Sequence, residues 1–436
     1  MRVYLTALGC RLNEAERATW AEDFVRAGFE VTSMAAAAQV LVINSCGVTM
    51  EAARKSRHLA RRLGREHPEA LLVVAGCDVE LEAKAFAEMA RRPLLLGNQE
   101  KDAVVARVLA ALGESGPEPA MEPVEALRRV RGKTRAFVKV QDGCRHACTY
   151  CVVWRARGPE RSRPVAEVIA EVRRLVARGI EEIVLTGVQV GAWRGGEGQA
   201  LPGLVAAILA ETEVRRLRLS SVEPWSLSAQ WWPLWAEGRL CPHLHVPIQS
   251  GSDAVLARMG REVPAAAIMG LVEEARAAIA GLTVGTDVIA GFPGESAVQW
   301  QETLAVLEAL RPAQVHVFPF SARPGAVAAK MAGQVALEVR RARAAEAQDV
   351  AQRLRGEVLL AQVGEVRQVL WERVSRRDGI ERWGGYTENY LWLEVEVAAG
   401  WVRRNQVSPV RVVAVQGDAL VGRLVGGAED HGVEVR

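Results

Sequence analysis

Residues 143–151 read Gly-Cys-Arg-His-Ala-Cys-Thr-Tyr-Cys, which places Cys144, Cys148 and Cys151 in a Cys-x3-Cys-x2-Cys array just past the apolar run Ala136–Val140. Three thiolates can hold three irons of a cubane cluster and leave the fourth open. An open iron can chelate a small molecule and pass electrons into it. A structural zinc site is the competing reading, but it wants four ligands, usually as two close pairs, and no fourth Cys or suitably spaced His follows nearby.

A second set of thiols lies upstream. The strand-like runs Val3–Leu8, Val40–Asn44 and Ala70–Ala75 lead into Cys10, Cys46 and Cys77, and helix-like stretches follow at Glu14–Ala27, Glu51–Glu66 and Leu81–Arg91. This alternation predicts a doubly wound parallel sheet over residues 1–113. In such sheets ligands gather beyond the carboxyl ends of the strands, so the three thiols should converge on one edge. The plainer alternative is that each is a small buried hydrophobe at a strand end. The helix after Cys46 carries Arg54, Lys55, Arg57, Arg61, Arg62 and Arg65 against Glu51 and Glu66. It is either a solvated face or a surface for phosphates.

The elements that position these residues extend along the whole chain. Residues 114–131 lack periodicity and open on a proline-rich stretch, which predicts a linker. Residues 132–358 alternate strands and helices again, with candidate strands Ala136–Gln141, Glu182–Val188, Arg216–Val222, His243–Ile248, Leu282–Ile289 and Ala313–Phe320. Six strands suit an open, partial (β/α)6 barrel, whose chemistry sits on loops at the carboxyl ends of strands. The first strand delivers the Cys144 array there. The helix Leu337–Gln362 should close the barrel.

Residues 363–426 change to short β-prone runs, Val366–Trp371, Leu391–Val397, Val410–Val415 and Leu420–Leu424, which predicts a small antiparallel barrel. There Trp371, Trp383, Tyr386, Tyr390, Trp392 and Trp401 are interleaved with Arg373, Arg376, Arg377, Arg382, Arg403 and Arg404. Stacking faces beside cations suit RNA, although acids nearly balance the arginines. Cys241 reads as buried and inert. His243 and His245 share a strand face and could suggest a metal, but without a nearby third ligand they read as packing.

The composition is that of a soluble globular protein: 436 residues, half of them apolar, with a net charge of +3. Any nucleic-acid binding must therefore come from local patches. With no long uncharged apolar stretch and no signal-peptide pattern, the chain is expected in the cytoplasm, with no membrane partner. In a reducing compartment, its clustered cysteines read as metal ligands.

The Cys144 array, with Tyr150 before its last cysteine, resembles the signature of radical S-adenosylmethionine (radical SAM) enzymes. Leu8-Gly9-Cys10-Arg11-Leu12-Asn13, Ile43-Asn44-Ser45-Cys46 and Ala75-Gly76-Cys77 resemble the N-terminal domain of the methylthiotransferases within that superfamily. The resemblance implies two [4Fe-4S] clusters, one on Cys144, Cys148 and Cys151 that binds SAM, and an auxiliary one on Cys10, Cys46 and Cys77 that carries the sulfur. It implies cofactor contacts from Thr186, Gly187, Glu223, Gln249 and Asp287 at strand ends, where loop caps are the alternative. The segments Ala156-Arg157-Gly158 and Arg161-Ser162-Arg163 match the family, with Arg157 expected to close over SAM and tRNA phosphate. Arg145, His146 and Ala147 depart from its commoner Asn-rich triplet.

The C-terminal barrel resembles the TRAM domain, with Arg376 and Arg403 as RNA contacts beside Arg54 and Arg57 of the basic helix. The implied partners are a tRNA anticodon stem-loop, an electron donor protein and a sulfur source. Residues 46–57, 243–249 and 385–390 look most like the branch acting on N6-threonylcarbamoyladenosine beside the anticodon. Branches for isopentenyladenosine or a ribosomal-protein aspartate match less well, at the residue after Cys10 and in the loop after Cys46. A non-catalytic iron-sulfur protein that binds RNA and senses redox state is the alternative of another class, though it leaves the glycine-lined strand ends without a role.

Overall fold

The computed structural model describes residues 1–89, 92–113, 134–377, 380–398 and 400–426. The predicted linker, 114–131, lies wholly outside these. The first layer is a parallel sheet in the order β2-β1-β3-β4-β5, formed by β1 (Arg2–Ala7), β2 (Glu30–Thr32), β3 (Val40–Ser45), β4 (Leu71–Gly76) and β5 (Leu94–Leu96). Central β3 is buried at every residue, as a strand covered on both faces must be, and its sequence is correspondingly a nearly unbroken apolar run.

Helix α1 (Arg11–Arg26) follows β1, and α2 (Met50–Glu66) follows β3. Thr49 caps α2, its Oγ1 accepting from Ala52 N at 3.1 Å. The strands ending before Cys10, Cys46 and Cys77 are the adjacent β1, β3 and β4, so the three thiols do share one sheet edge. Of the helix expected over Leu81–Arg91, residues 90 and 91 lie outside the described residues, and the rest falls in two short helices, α3 (Cys77–Glu82) and α4 (Lys84–Ala87). The first begins early because Gly76, at φ +103°, turns the chain straight from β4 into helix.

The central region forms the expected six-stranded open barrel. Its strands are β6 (Arg135–Lys139), β9 (Glu182–Thr186), β10 (Arg216–Leu219), β11 (His243–His245), β12 (Thr283–Ala290) and β13 (Gln314–Pro319); the short pair β7 (Gln141–Asp142) and β8 (Arg161–Ser162) brackets the cluster loop. Two parallel three-stranded sheets, β10-β9-β6 and β11-β12-β13, are joined where Cys241 N donates to Leu217 O at 2.8 Å and Val222 N to His245 O at 2.9 Å. Val138, Leu185, Leu217, Leu244 and Val284 fill the space between strands and outer helices. The helix Leu337–Leu360 then packs on β12 and β13.

The C-terminal strands β14 (Val366–Arg377), β15 (Ile380–Thr387), β16 (Trp392–Ala398), β17 (Val407–Gln416) and β18 (Ala419–Leu424) close into a barrel in the order β14-β15-β16-β18-β17. All its pairings are antiparallel except β16 with β18. Strand β15 had no counterpart in the sequence-based reading. Among the described residues, no helix is long and apolar enough to cross a membrane.

The turn after β15 reaches under the open barrel. The Tyr390 ring lies 4.5 Å from the Arg218 guanidinium and 4.8 Å from the His243 ring, and Arg216 Nη2 donates to Thr387 O at 2.7 Å. Arg135, Glu182, Arg216, His243 and Thr283 are the first residues of their strands. The turn therefore forms a floor at the amino ends of the strands, opposite the cluster loop. Residues 385–390, whose likeness pointed to a substrate branch, serve to dock one region on another.

Candidate active site

The Cys144 loop is held at both ends. Gly143, at φ +75°, lies so close to the returning chain that a Cβ would fall 2.0 Å from Pro159 O, and Cys144 N donates to Gly158 O at 3.1 Å. Thr149 ties the middle down, its N donating to Met259 O at 3.0 Å and its Oγ1 to Arg258 O at 2.9 Å. Burial pushes the Cys144 thiol up to about 11 and Cys151 up to about 12, the neighbouring thiols adding to both. Such groups keep their protons until a metal displaces them.

Cys148 is raised by burial too, but Arg261 offsets part of the effect. Arg261 is buried and donates from Nη2 to Glu223 Oε2 and Pro247 O, both at 2.7 Å, with its guanidinium 4.8 Å from the Trp225 ring centroid. It is a site residue that sequence reasoning missed. Beside Cys144 opens a cleft of about 540 Å³ lined by residues including Arg145, His146, Gln189, Arg194, Trp225 and Trp231.

The second triad is packed more tightly. Gly9 sits at φ +86°, and a Cβ there would lie 2.3 Å from Cys46 Sγ, so the Cys10 loop can approach Cys46 only without a side chain. Ser56 brackets Cys46, its Oγ accepting from Cys46 N at 3.0 Å and donating to Cys46 O at 3.2 Å. Asn98 Nδ2 lies 3.5 Å from Cys77 Sγ. Burial, with Cys10 and Cys77 nearby, pushes Cys46 up to about 12.

Among the described residues, the three donors that come within 4.8 Å of one another, close enough for a single ion, are His245, Asp287 and His316. Neither cysteine triad is so compact. With thiolate as the soft donor that iron favours, this arrangement fits an iron-sulfur cluster on each triad, Cys46 and Cys77 being buried, Cys144, Cys148 and Cys151 half-buried and Cys10 exposed. It also corrects the reading of His245, to which Asp287 and His316 bring the missing neighbours. Asp287 Oδ1 lies 2.9 Å from His316 Nδ1 and 3.3 Å from His245 Nε2, and His245 Nδ1 is hydrogen-bonded to Ser221 Oγ at 2.8 Å. Burial alone would raise the Asp287 carboxyl, but the two imidazoles hold it well below the usual range.

Arg157 links the two triads. It is 2% exposed, and donates from Nη1 to Glu16 Oε1 at 3.0 Å and Asp142 Oδ1 at 2.9 Å, and from Nη2 to Asn13 Oδ1 at 2.8 Å. Its charge lowers the Cys10 thiol against the larger upward push of burial. The expectation that Arg157 would face RNA is therefore wrong. It ends the short helix Val153–Arg157, which turns inward and spends the fork on buried carboxylates. Lys101 and Lys139 join the same carboxylate of Glu16, and the three cations outweigh burial to hold it well below the usual range.

Residues 2–97 match the Uncharacterized protein family UPF0004 and residues 138–307 the Radical SAM superfamily. Relatives span nearly the whole chain. "Threonylcarbamoyladenosine tRNA methylthiotransferase MtaB" of Chlamydia pneumoniae is 32% identical, covering 97% of this chain and 97% of that one. "tRNA-2-methylthio-N(6)-dimethylallyladenosine synthase" of Novosphingobium aromaticivorans is 33% identical, covering 96% of each. This chain is a radical SAM tRNA methylthiotransferase. Among solved structures, the radical S-adenosylmethionine methyltransferase TsrM of Kitasatospora setae shares the fold, with a TM-score of 0.54 at 15% identity over 72% of this chain and 74% of that one. The family's cofactors are SAM and [4Fe-4S] clusters, two of them in methylthiotransferases.

In this methylthiotransferase the other expected site residues are placed as follows. Thr186 is buried at the end of β9. A Cβ on Gly187 would lie 2.8 Å from Gln141 Oε1, so the glycine lets the β9 loop press against the cluster strand. Glu223 is tied to Arg261. Gln249 adopts φ +67° and joins β12 through backbone hydrogen bonds, donating to Asp287 O and accepting from Ile289 N.

The residues expected to face RNA differ in their partners. Arg54 is exposed on α2, but Arg57 grips buried Asp78 with two bonds of 3.0 Å. In the C-terminal barrel Trp371 and Trp383 are core residues, Tyr386 and Tyr390 face the floor, and Arg376 and Arg382 pair with Glu381 and Glu396. Trp401, Arg403 and Arg404 remain exposed.

Proposed function

We propose that this methylthiotransferase adds a methylthio group to C2 of N6-threonylcarbamoyladenosine beside the tRNA anticodon. In this reading Cys144, Cys148 and Cys151 hold the cluster that binds SAM, and Cys10, Cys46 and Cys77 hold the sulfur-bearing one. The working units are 1–113, 132–358 and 363–426, and the protein acts in the cytoplasm with an electron donor protein and a sulfur source. The observation that carries the division of labour is the buried Arg157 network, which fixes two wide thiol triads on either side of one guanidinium. The choice of nucleoside is supported by the likeness of residues 46–57 and 243–249 to the threonylcarbamoyladenosine branch.

When loaded, the cofactors supply a 5′-deoxyadenosyl radical and a carrier for the methylated sulfur. The chain orients and encloses. The barrel strands and the Tyr390 floor exclude water and stray C–H bonds from the chamber. Thr186, Gly187, Glu223, Gln249 and Asp287 stand at or near the carboxyl ends of its strands as contacts for SAM. Arg54 and Arg403 are left for phosphates. Turning the base out of a single-stranded loop costs little.

Nucleoside mass spectrometry of tRNA from a deletion strain tests this reading. Loss of 2-methylthio-N6-threonylcarbamoyladenosine, with accumulation of its unthiolated parent, is expected. Loss of the 2-methylthio isopentenyl nucleoside instead would assign the chain to the sister branch. Reduced, anaerobically reconstituted protein that makes no 5′-deoxyadenosine would overturn the radical chemistry altogether.

A further inference from the structure

The cations around the Tyr390 floor are not alike. Arg135, Arg216 and Arg218 all converge on the buried carboxylate of Glu182, at 3.4, 3.0 and 3.1 Å, and Arg135 also pairs with Glu372. Arg11 comes from the other side, as the first residue of α1 and the next after Cys10. Its Nη2 donates to the Tyr390 hydroxyl at 2.9 Å, and its guanidinium carbon lies 5.4 Å from the ring centroid. Among the described residues, no carboxylate lies within ion-pair distance of it. A guanidinium has five N–H donors, and the hydroxyl engages one. Here, then, is a half-buried cation with no anion, held against the Tyr390 floor directly after Cys10.

We propose that Arg11 receives the carboxylate of the substrate's threonyl group and so selects threonylcarbamoyladenosine over the uncharged isopentenyl nucleoside. This rests on the substrate reading above and names the residue that would enforce it. A carboxylate presents two oxygens in the plane that a guanidinium fork matches, whereas an apolar isopentenyl group would leave that fork unanswered. The position suits the chemistry. In the adenine ring the N6 substituent and C2 flank N1 on the same edge, so a group that grips the substituent also places C2. Because Arg11 and Cys10 are consecutive, gripping the carboxylate sets the target carbon relative to the thiol expected to hold the sulfur-bearing cluster. The amino end of α1 adds a favourable potential for an anion.

The test is binding, read by fluorescence anisotropy with full-length, anaerobically reconstituted protein. Labelled anticodon stem-loops would carry adenosine, threonylcarbamoyladenosine or its threonine-amide analogue beside the anticodon. The wild type should bind the threonylcarbamoyl loop about tenfold to a hundredfold more tightly than the adenosine loop, the range of one charge-assisted hydrogen-bonded pair. The amide loop should lose that advantage. Arg11→Gln should bind all three alike, Arg11→Lys should keep part of the preference, and Tyr390→Phe, which removes the hydroxyl anchor alone, should reduce it. A wild type that prefers the threonylcarbamoyl loop and an Arg11→Gln protein that prefers it equally would overturn the role of Arg11 alone. So would undiminished wild-type affinity for the amide. A wild type with no preference would instead overturn the substrate reading.

Discussion

The Arg157 guanidinium and the Glu16 carboxylate lie 3.0 Å apart with both side chains 2% exposed, one on the short helix behind the Cys144 array and the other on the helix behind Cys10. A buried pair of this kind is costly to break from one side, because the survivor is left charged and unsolvated. Arg157→Ala should therefore destabilise the protein by about 3–5 kcal/mol in urea unfolding. Iron per chain after reconstitution should fall toward the content of a single cluster. Arg157→Lys keeps the charge but loses the fork and should fall between. Unchanged iron and stability in the Ala variant would show that the network does not brace the second triad.

The two triads should fail differently. Cys148→Ala should abolish 5′-deoxyadenosine formation. Cys77→Ala should leave SAM cleavage in place and stop thiomethylation, because its thiol stands on the other sheet. Assaying both products in each variant checks the assignment, and identical losses would contradict it.

Glu16 also sets an acid limit. Its folded-state pKa is depressed by Arg157, Lys101 and Lys139 acting against burial, so its contribution is fully present above the unfolded value, about 4.3, and is lost as pH falls toward the lower folded value. Thermal midpoints should drop below about pH 4.5 more steeply in the wild type than in Glu16→Gln. The variant should be less stable at neutral pH, where it leaves Arg157 and Lys101 short of a counter-charge. Parallel acid limbs for the two proteins would remove Glu16 from the account.

Tyr390→Ala should open the floor. It removes the ring against Arg218 and His243 and the hydroxyl that Arg11 reaches, at a cost of about 3 kcal/mol by analogy with buried aromatic truncations. With water admitted, the ratio of 5′-deoxyadenosine to methylthiolated nucleoside should rise. An unchanged ratio would mean that the chamber is sealed elsewhere.

Some of this was legible in the sequence and some was not, for physical reasons. Cys10, Cys46 and Cys77 could be placed together because a parallel sheet puts successive strand ends on one edge whatever its details. The six barrel strands could be read from their apolar runs. Strand β15 could not, because Gly384 and Gly385 interrupt any apolar run there. Its neighbour Trp392 explains the glycine: a Cβ on Gly384 would lie 2.2 Å from that ring. Trp371 looked like a stacking platform, yet it is wholly buried with Nε1 donating to Ser408 Oγ at 3.1 Å; local sequence cannot tell a core tryptophan from a surface one. Arg157 and Arg261 draw their roles from carboxylates far along the chain, which no local window reveals.

The floor has a consequence for the order of synthesis. Both thiol triads and all six barrel strands precede residues 386–390 in the chain. A polypeptide still on the ribosome can thus present every cysteine and wall of the chamber while its underside stands open. Pulse-labelled iron on ribosome-bound and released chains would show whether clusters are delivered before or after that gap closes. Because a radical needs SAM and an electron as well as the cluster, a chain loaded early is safe only while reductant is kept from it until the floor closes.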